Sequence, residues 1–417
     1  MITATAAAAP SLRLPSYALF AAMLAAAGLP IYIHAPKFYV DTYGVTLTSL
    51  SAVLFALRAL DVVQDPLLGR LAGSLRHWRT EAATIGVLIL AAGMIGLFAV
   101  APPIAPVLWF ALTLTAVFSA FSFLTILFYA RGVSKAADLP GNGHLMLARW
   151  RETGGLLGVC VASVAPLALG GLGVPPFAGY AVGFAILALV AGAMMRREWQ
   201  GAIGDAPASG LGVVIRDPLA RRLLMIALAN AAPVAVSSTL FLFYVESRLA
   251  APGWEGPLLL LFFLSAAIAA PVWSRLAERH GAKRILLIAM IVSIAAFSTA
   301  LFLGAGDTTL FAIVCIASGA ALGADMTLLP AIFATRMAEI APEASDGFAL
   351  WSFVSKATLA VAAIILLPTL DLAGFTAGLG NDDTALLTLT ALYAGVPCLL
   401  KLVALGLLAT TQFEVPV

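Results

Sequence analysis

The chain has 417 residues, 62% of them hydrophobic and only 11% charged, with a formal net charge of +2 and a mean hydropathy of +1.03. Soluble globular proteins run at about 45–50% apolar and about 25% charged residues, so that class is excluded, and the near-neutral balance gives no reason to expect a nucleic-acid partner. The composition is that of an all-α polytopic membrane protein, long enough for roughly twelve helices of about 20 residues with short loops.

The Ala-rich start, Met1 to Pro10, lacks the basic opening of a cleavable signal, so the apolar run from Tyr17 is expected to stay as a first helix. Windows of about 19 residues place helices at 16–35, 45–68, 81–101, 107–130, 149–171, 175–196, 222–246, 256–276, 284–304, 308–336, 347–370 and 384–410. Clusters such as Ala101-Pro-Pro-Ile-Ala-Pro106 and Gly170-Gly-Leu-Gly-Val-Pro-Pro176 mark tight turns between them. The one longer polar connection predicts a six-helix half over 1–197, a cytoplasmic linker over 198–221 and a second six-helix half over 222–417. Cys160, Cys315 and Cys398 fall inside apolar runs without metal or disulfide spacing and read as small buried residues.

Lys and Arg sit on alternate loops: Arg70, Arg76, Lys135, Arg149, Arg216, Arg275 and Lys283 lie on one parity, and only Lys37 and Arg248 on the other. The positive-inside rule then predicts a multi-pass protein of the inner membrane with both termini cytoplasmic. The two halves also echo each other. Pro66-Leu-Leu-Gly-Arg70-Leu-Ala aligns without a gap on Pro271-Val-Trp-Ser-Arg275-Leu-Ala, and both stretches run on to basic ends at Arg79 and Arg284. Duplicated halves around a central linker are how transporters rock about a midplane site.

The segment from Phe55 to Gly69 places Arg58, Asp61 and Asp65 on one helical stripe inside an apolar run. A charge at mid-bilayer costs about 2.5–3.5 kcal/mol on insertion scales, so such groups persist where they face a bundle interior or a watery cavity. Pro66 should free the Val62 carbonyl and push Asp65 off helical angles, leaving an oxygen cage for a hard cation. With a proton as the ion, two neighbouring carboxylates cannot both ionise cheaply, and one holds the proton. The plainer alternative is an Arg58–Asp61 pair that fixes packing, which leaves Asp65 over. Lys356, well inside the eleventh helix, calls for Asp61 or Asp65 as its partner. Arg151 and Glu152 divide between a gating or substrate role and a plain salt bridge, and Arg149 should snorkel. Asp325 is a further candidate for solute contact and Trp351 for stacking on a solute, while Lys401 should snorkel or pair structurally.

Tyr39-Val-Asp41-x-x-Gly44, Arg58-x-x-Asp61-x-x-x-Asp65-Pro66-x-x-Gly69, the Arg151 region and Ser352-Phe-Val-Ser-Lys356 resemble signatures of the glycoside-pentoside-hexuronide:cation symporter family of the major facilitator superfamily. The resemblance implies the twelve-helix major facilitator fold in two pseudo-symmetric halves. It also implies that Asp61 and Asp65 bind a coupling Na+ or H+, and that Lys356 takes part in cation and sugar recognition. Gln64 stands where the family has an Asn of the sodium site. Ala25 and Thr125 stand where its sugar binders carry carboxylates, and the end of the tenth helix reads Ala334-Thr-Arg336-Met-Ala-Glu339. The expectation is a monomeric, cation-coupled symporter of a sugar or related small organic solute. It is expected to need no cofactor beyond its ion, and no nucleotide-binding loop or catalytic cluster marks an enzyme. Loss of the sugar-binding acids leaves an amphipathic lipid or lipophilic cargo as the alternative, and a non-transporting scaffold or receptor as a third reading.

Overall fold

The computed structural model describes residues 13–200, 210–342, 344–376 and 380–412, and these are helical apart from short turns. The elements are α1 (Leu14–Tyr43), α2 (Leu47–Ser74), α3 (Arg79–Phe98), α4 (Pro106–Ala137), α5 (Gly143–Gly171), α6 (Pro176–Trp199), the short α7 (Leu211–Arg216), α8 (Pro218–Phe243), α9 (Glu255–His280), α10 (Ala282–Thr299), α11 (Thr308–Ile340), α12 (Ser345–Leu372), α13 (Asp383–Thr390) and α14 (Val396–Ala409). Helices are the outcome because hydrocarbon offers backbone groups no partner outside the segment itself. Starts are marked by side chains that accept from the first free N–H groups: Thr46 from Ser49, Asn142 from Leu145, Asp217 from Ala220 and Asp382 from Ala385. Among the described residues, ten helices are long and apolar enough to cross a membrane. Two more, α1 and α2, run for 30 and 28 residues.

The helices overrun the apolar windows. α1 continues past 35 to Tyr43 and stops at Gly44, whose φ of 64° is open to a residue without a β-carbon. α4 runs on to Ala137, and α5 begins at Gly143 instead of 149. Hydropathy detects the thickness of the hydrocarbon layer, whereas the helix carries on until a cap or turn ends it. The last span is α13 and α14 joined through a π-helical turn at Ala391–Gly395.

Packing repeats between the halves. α1 lies on α5 as α8 lies on α12; α2 on α4 as α9 on α11; α3 on α6 as α10 on α14. Across the divide, α2 packs on α12 and α5 on α9. These two contacts are made by the stretches that match in sequence. A β-carbon at Gly69 of α2 would collide with the Ala349 side chain of α12. Its counterpart in the repeat, Ser274 of α9, is fully buried and donates to the Leu145 carbonyl of α5 at 3.2 Å.

The halves are joined at the end that carries the basic loops. There Ala130, Val133, Leu145 and Ala148 of the first half share one buried cluster with Ala277, Phe333 and Phe348 of the second. Near the opposite loops, the cluster of Leu240, Tyr244, Phe311 and Tyr393 belongs to the second half alone. The molecule is therefore closed at its basic end.

Candidate functional site

Asp65 is carried by α2 and is wholly buried. The Lys356 ammonium, from α12, donates to Asp65 Oδ1 at 3.0 Å and to the Ser122 hydroxyl of α4. One turn of α4 away, Ser119 donates to Gln64 Oε1 at 2.9 Å. Spacing of three on α4 presents Ser119 and Ser122 to the consecutive pair Gln64 and Asp65. An acid 291 positions from its base in sequence thus forms an ion pair across the two halves, framed by α2, α4 and α12. Asp65 is one of the two partners that the sequence allowed for Lys356. The side chains of Arg58 and Asp61 lie outside the described residues.

The expectation that Pro66 breaks the helix is corrected. α2 is continuous from Leu47 to Ser74 with Pro66 inside it. A membrane helix tolerates an interior proline where neighbouring groups absorb the local change, and here α4 and α12 grip α2 on both sides of it. The described part of the site is built from side chains on a continuous helix.

Arg151 and Glu152 form a second network, also buried. Arg151 Nε donates to Glu152 Oε1 at 2.7 Å, and the Tyr129 hydroxyl donates to the same oxygen at 3.0 Å. The guanidinium lies 3.8 Å above the Tyr129 ring, a cation–π contact. Tyr129 leans in turn on Phe348 of the other half, at 5.1 Å between ring centres, and Phe348 on Phe333 at 5.5 Å. Trp351 packs on Phe333 at 5.0 Å, within this aromatic seam. Ser122 and Tyr129 are seven residues apart on α4, so the two networks lie about 10 Å from each other along one helix. Thr125, between them, spends its hydroxyl on the Phe121 carbonyl of its own helix at 2.7 Å.

Asp325 is not part of either network. It pairs with Lys401 of α14 inside the second half, and the same ammonium donates to Asn230 Oδ1 of α8 at 2.6 Å. Both charged side chains are more than nine-tenths buried. Lys401 therefore pairs rather than snorkels. Arg149 reaches Glu278 of α9 at 3.5 Å, a partly exposed bridge between the halves. Sequence reasoning passed over Ser119, Ser122 and Asn230. Asn230 is a lone amide in an apolar run and could have been flagged on that ground; serines in membrane helices are too common to stand out.

An all-helical bundle of membrane-spanning length with internally repeated packing is the fold of a membrane secondary transporter of the major facilitator type, not of an enzyme. The chain belongs to the MFS/sugar transport protein family, whose model matches residues 15–414. No curated protein matches the sequence. Among solved structures it is similar to a bacterial homologue of the iron transporter ferroportin in an outward-facing state, at 15% identity and a TM-score of 0.67, covering 94% of this chain and 99% of that one. It is also similar to the E. coli fucose:proton symporter, at 14% identity and a TM-score of 0.65, covering 96% and 98%. At these identities the likeness is one of fold.

Proposed function

We propose that the chain is a cation-coupled symporter of a sugar or related small organic solute, with twelve spans and cytoplasmic termini in an inner membrane, in which the coupling ion and Lys356 compete for Asp65. The observation that carries this reading is the Asp65–Lys356 ion pair between α2 and α12. A carboxylate that is wholly buried needs a counter-charge at all times. When Lys356 supplies it, the two halves are held together; when a proton or Na+ supplies it, the lysine is released and the halves can part. The basic end, which this reading places in the cytoplasm, is shut, so the closed pair corresponds to an outward-facing state. Ion-free carriers are thereby kept from opening inward, and the gradient is not dissipated without cargo. Arg151, Glu152 and Tyr129, next along α4 and α5, are the groups this reading gives to the solute, with the glycoside-pentoside-hexuronide:cation symporters as the nearest functional type.

A lipophilic or amphipathic cargo is the second reading, favoured by Ala25 and by the self-satisfied hydroxyl of Thr125, which leave the first and fourth helices without acids for sugar hydroxyls. The test is uptake by full-length protein in liposomes under an imposed proton or Na+ gradient, for a panel of monosaccharides, glycosides and lysolipids. Asp65→Asn is expected to lower gradient-driven uptake at least 100-fold while leaving solute binding within a few-fold. Retained coupling in that variant overturns the assignment. Absence of uptake for every cargo overturns transport and leaves the scaffold reading.

A further inference from the structure

A groove runs along the outer surface of the first half, between α3 and α6, at the basic end of the molecule. It holds about 590 Å³, within the range of about 300–1,000 Å³ that small-molecule sites occupy. Both helices pack on α1, and beyond it on α4 or α5 of the same half. None of the groove's residues belongs to the Asp65 site or to the Arg151 network.

α3 starts and α6 ends at the basic end, so the two linings match level by level. Small residues of α6, Gly192 and Ala193, leave the hollow, and Gly192 lies so close to α3 that a β-carbon there would come within 3.3 Å of Val87. Ile85, Leu88 and Leu189 flank it, each at least half exposed, and on two helices of membrane-spanning length such faces meet hydrocarbon. Toward the helix ends the lining turns polar, with Glu81 in the first turn of α3, Thr80 beside it and Arg196 in the last turn of α6. Leu88 is seven residues beyond Glu81, about 10 Å deeper along α3, and the headgroup layer on each side of a bilayer is only about 5–8 Å thick. The groove therefore passes from headgroup level into the hydrocarbon, as a single lipid does.

The charges at its mouth decide which lipid. Among the described residues neither Glu81 nor Arg196 has an ion-pair or side-chain hydrogen-bond partner. A guanidinium suits a phosphate, the Thr80 hydroxyl is a further donor, and the Glu81 carboxylate calls for a cation. Inorganic phosphate would face Glu81 as a like charge and leave the apolar length of the groove empty. An anionic lipid would satisfy Arg196 and leave Glu81 unmatched. A quaternary ammonium has no N–H to donate to a carboxylate, and no aromatic ring among the described lining residues is there to receive it. A primary ammonium joined to a phosphate ester meets both charges, and its acyl chain fills the hollow.

We infer that the groove between α3 and α6 binds one phospholipid with a phosphoethanolamine headgroup, its phosphate on Arg196, its ammonium on Glu81 and an acyl chain over Gly192 and Ala193. The site is independent of the symport reading, and its failure leaves that reading intact.

Lipid titration of the purified full-length protein, followed by native mass spectrometry, tests it. The probes are dioleoyl phosphatidylethanolamine, its stepwise N-methylated series ending in phosphatidylcholine, and dioleoyl phosphatidylglycerol. The first phosphatidylethanolamine is expected to bind at least ten-fold more tightly than either phosphatidylcholine or phosphatidylglycerol, with the largest loss along the methyl series at the step that removes the last N–H. Glu81→Gln is expected to bring phosphatidylethanolamine and phosphatidylcholine to within about two-fold of each other, and Glu81→Lys to turn the preference toward phosphatidylglycerol. Ala193→Phe, which fills the hollow from an exposed position and leaves both charges in place, is expected to weaken binding of the first phosphatidylethanolamine at least ten-fold. Equal affinities for the three lipids in the wild type, as for an ordinary lipid annulus, overturn the proposal. A preference for phosphatidylethanolamine that survives both Glu81→Gln and Ala193→Phe overturns it as well, because the lipid would then sit elsewhere.

Discussion

Among the carboxylate–lysine pairs of the described residues, Asp325–Lys401 and Asp65–Lys356 differ in what holds them. Asp325 and Lys401 sit within one half, with Asn230 as a third partner. Asp65 and Lys356 sit on opposite halves, and Lys356 keeps some exposure, 14% of its side chain. A pair within a rigid body can only stabilise or destabilise that body. A pair between two bodies adds a term to one conformation and is absent from the other, which makes it a switch. On the proposed function, the same chemistry serves folding in one place and coupling in the other, and position relative to the divide decides which.

The largest effect that should separate them comes from removing each lysine. Lys401→Met leaves Asp325 without its counter-charge deep in the bundle, a change that typically costs about 3–5 kcal/mol. Lys356→Met leaves Asp65 at the contact between α2 and α12, where, on the proposed function, a proton or cation replaces the ammonium. We therefore expect Lys401→Met to lower the melting temperature at least twice as far as Lys356→Met, and Lys356→Met alone to abolish coupled transport. Adding Asp325→Leu to Lys401→Met should recover most of the lost stability, because a neutral, well-packed replacement of a buried pair is often no worse than the pair. Thermal unfolding of the purified variants, side by side, checks all of these outcomes; equal losses for the two lysines would erase the distinction.

A smaller effect sharpens the switch. Gly69 lets α2 approach α12 so closely that a larger residue has no room beside Ala349. Gly69→Val should hold the basic end ajar without removing any charge. With native cysteines replaced by serine, a disulfide between Gly73→Cys and Ser345→Cys, two positions already in contact, should form readily. In the Gly69→Val background its rate should fall about ten-fold. An unchanged rate would mean that close approach at Gly69 is not what allows closure.

Much of this was legible in the sequence because it is written in charges and in repeats. Charges such as Asp65 and Lys356 are too costly in hydrocarbon to be accidental, so a carboxylate partner for Lys356 at Asp61 or Asp65 could be anticipated. The Pro66 and Pro271 repeats marked the two helices that span the divide. What could not be read was three-dimensional adjacency among cheap residues. Ser119 and Ser122 cost little to place in a membrane helix, and Asn230 joins Asp325 and Lys401 from a helix far away in the chain. The proline at 66 misled for a related reason: its effect on α2 is set by the neighbours packed against it, and a single strand of sequence does not show them.

The smallest effect belongs to a third pair, which calibrates the other two. Asp217 precedes α8 and accepts from Arg336 at 2.5 and 3.1 Å, so both carboxylate oxygens are engaged. It also caps α8 by accepting from the Ala220 N–H at 2.7 Å. The Arg336 bonds hold the Asp217 carboxyl below its ordinary value, with the cap bond adding to the effect. A carboxyl whose pKa is depressed by folding stabilises the folded state above the unfolded pKa, about 3.9, and loses that contribution as pH falls through the folded value. Asp217→Asn keeps an acceptor for the cap and removes the charge. The wild type should therefore melt higher than the variant by a constant margin from pH 5 to 8, on the order of 1 kcal/mol for a partly solvated pair. That margin should close on acidification below pH 4. Solvent and salt screen this pair as they cannot screen the other two, so high salt should shrink the margin here and leave the Lys401→Met effect unchanged. A margin at Asp217 that ignored both salt and pH would show that burial is not what separates the three pairs.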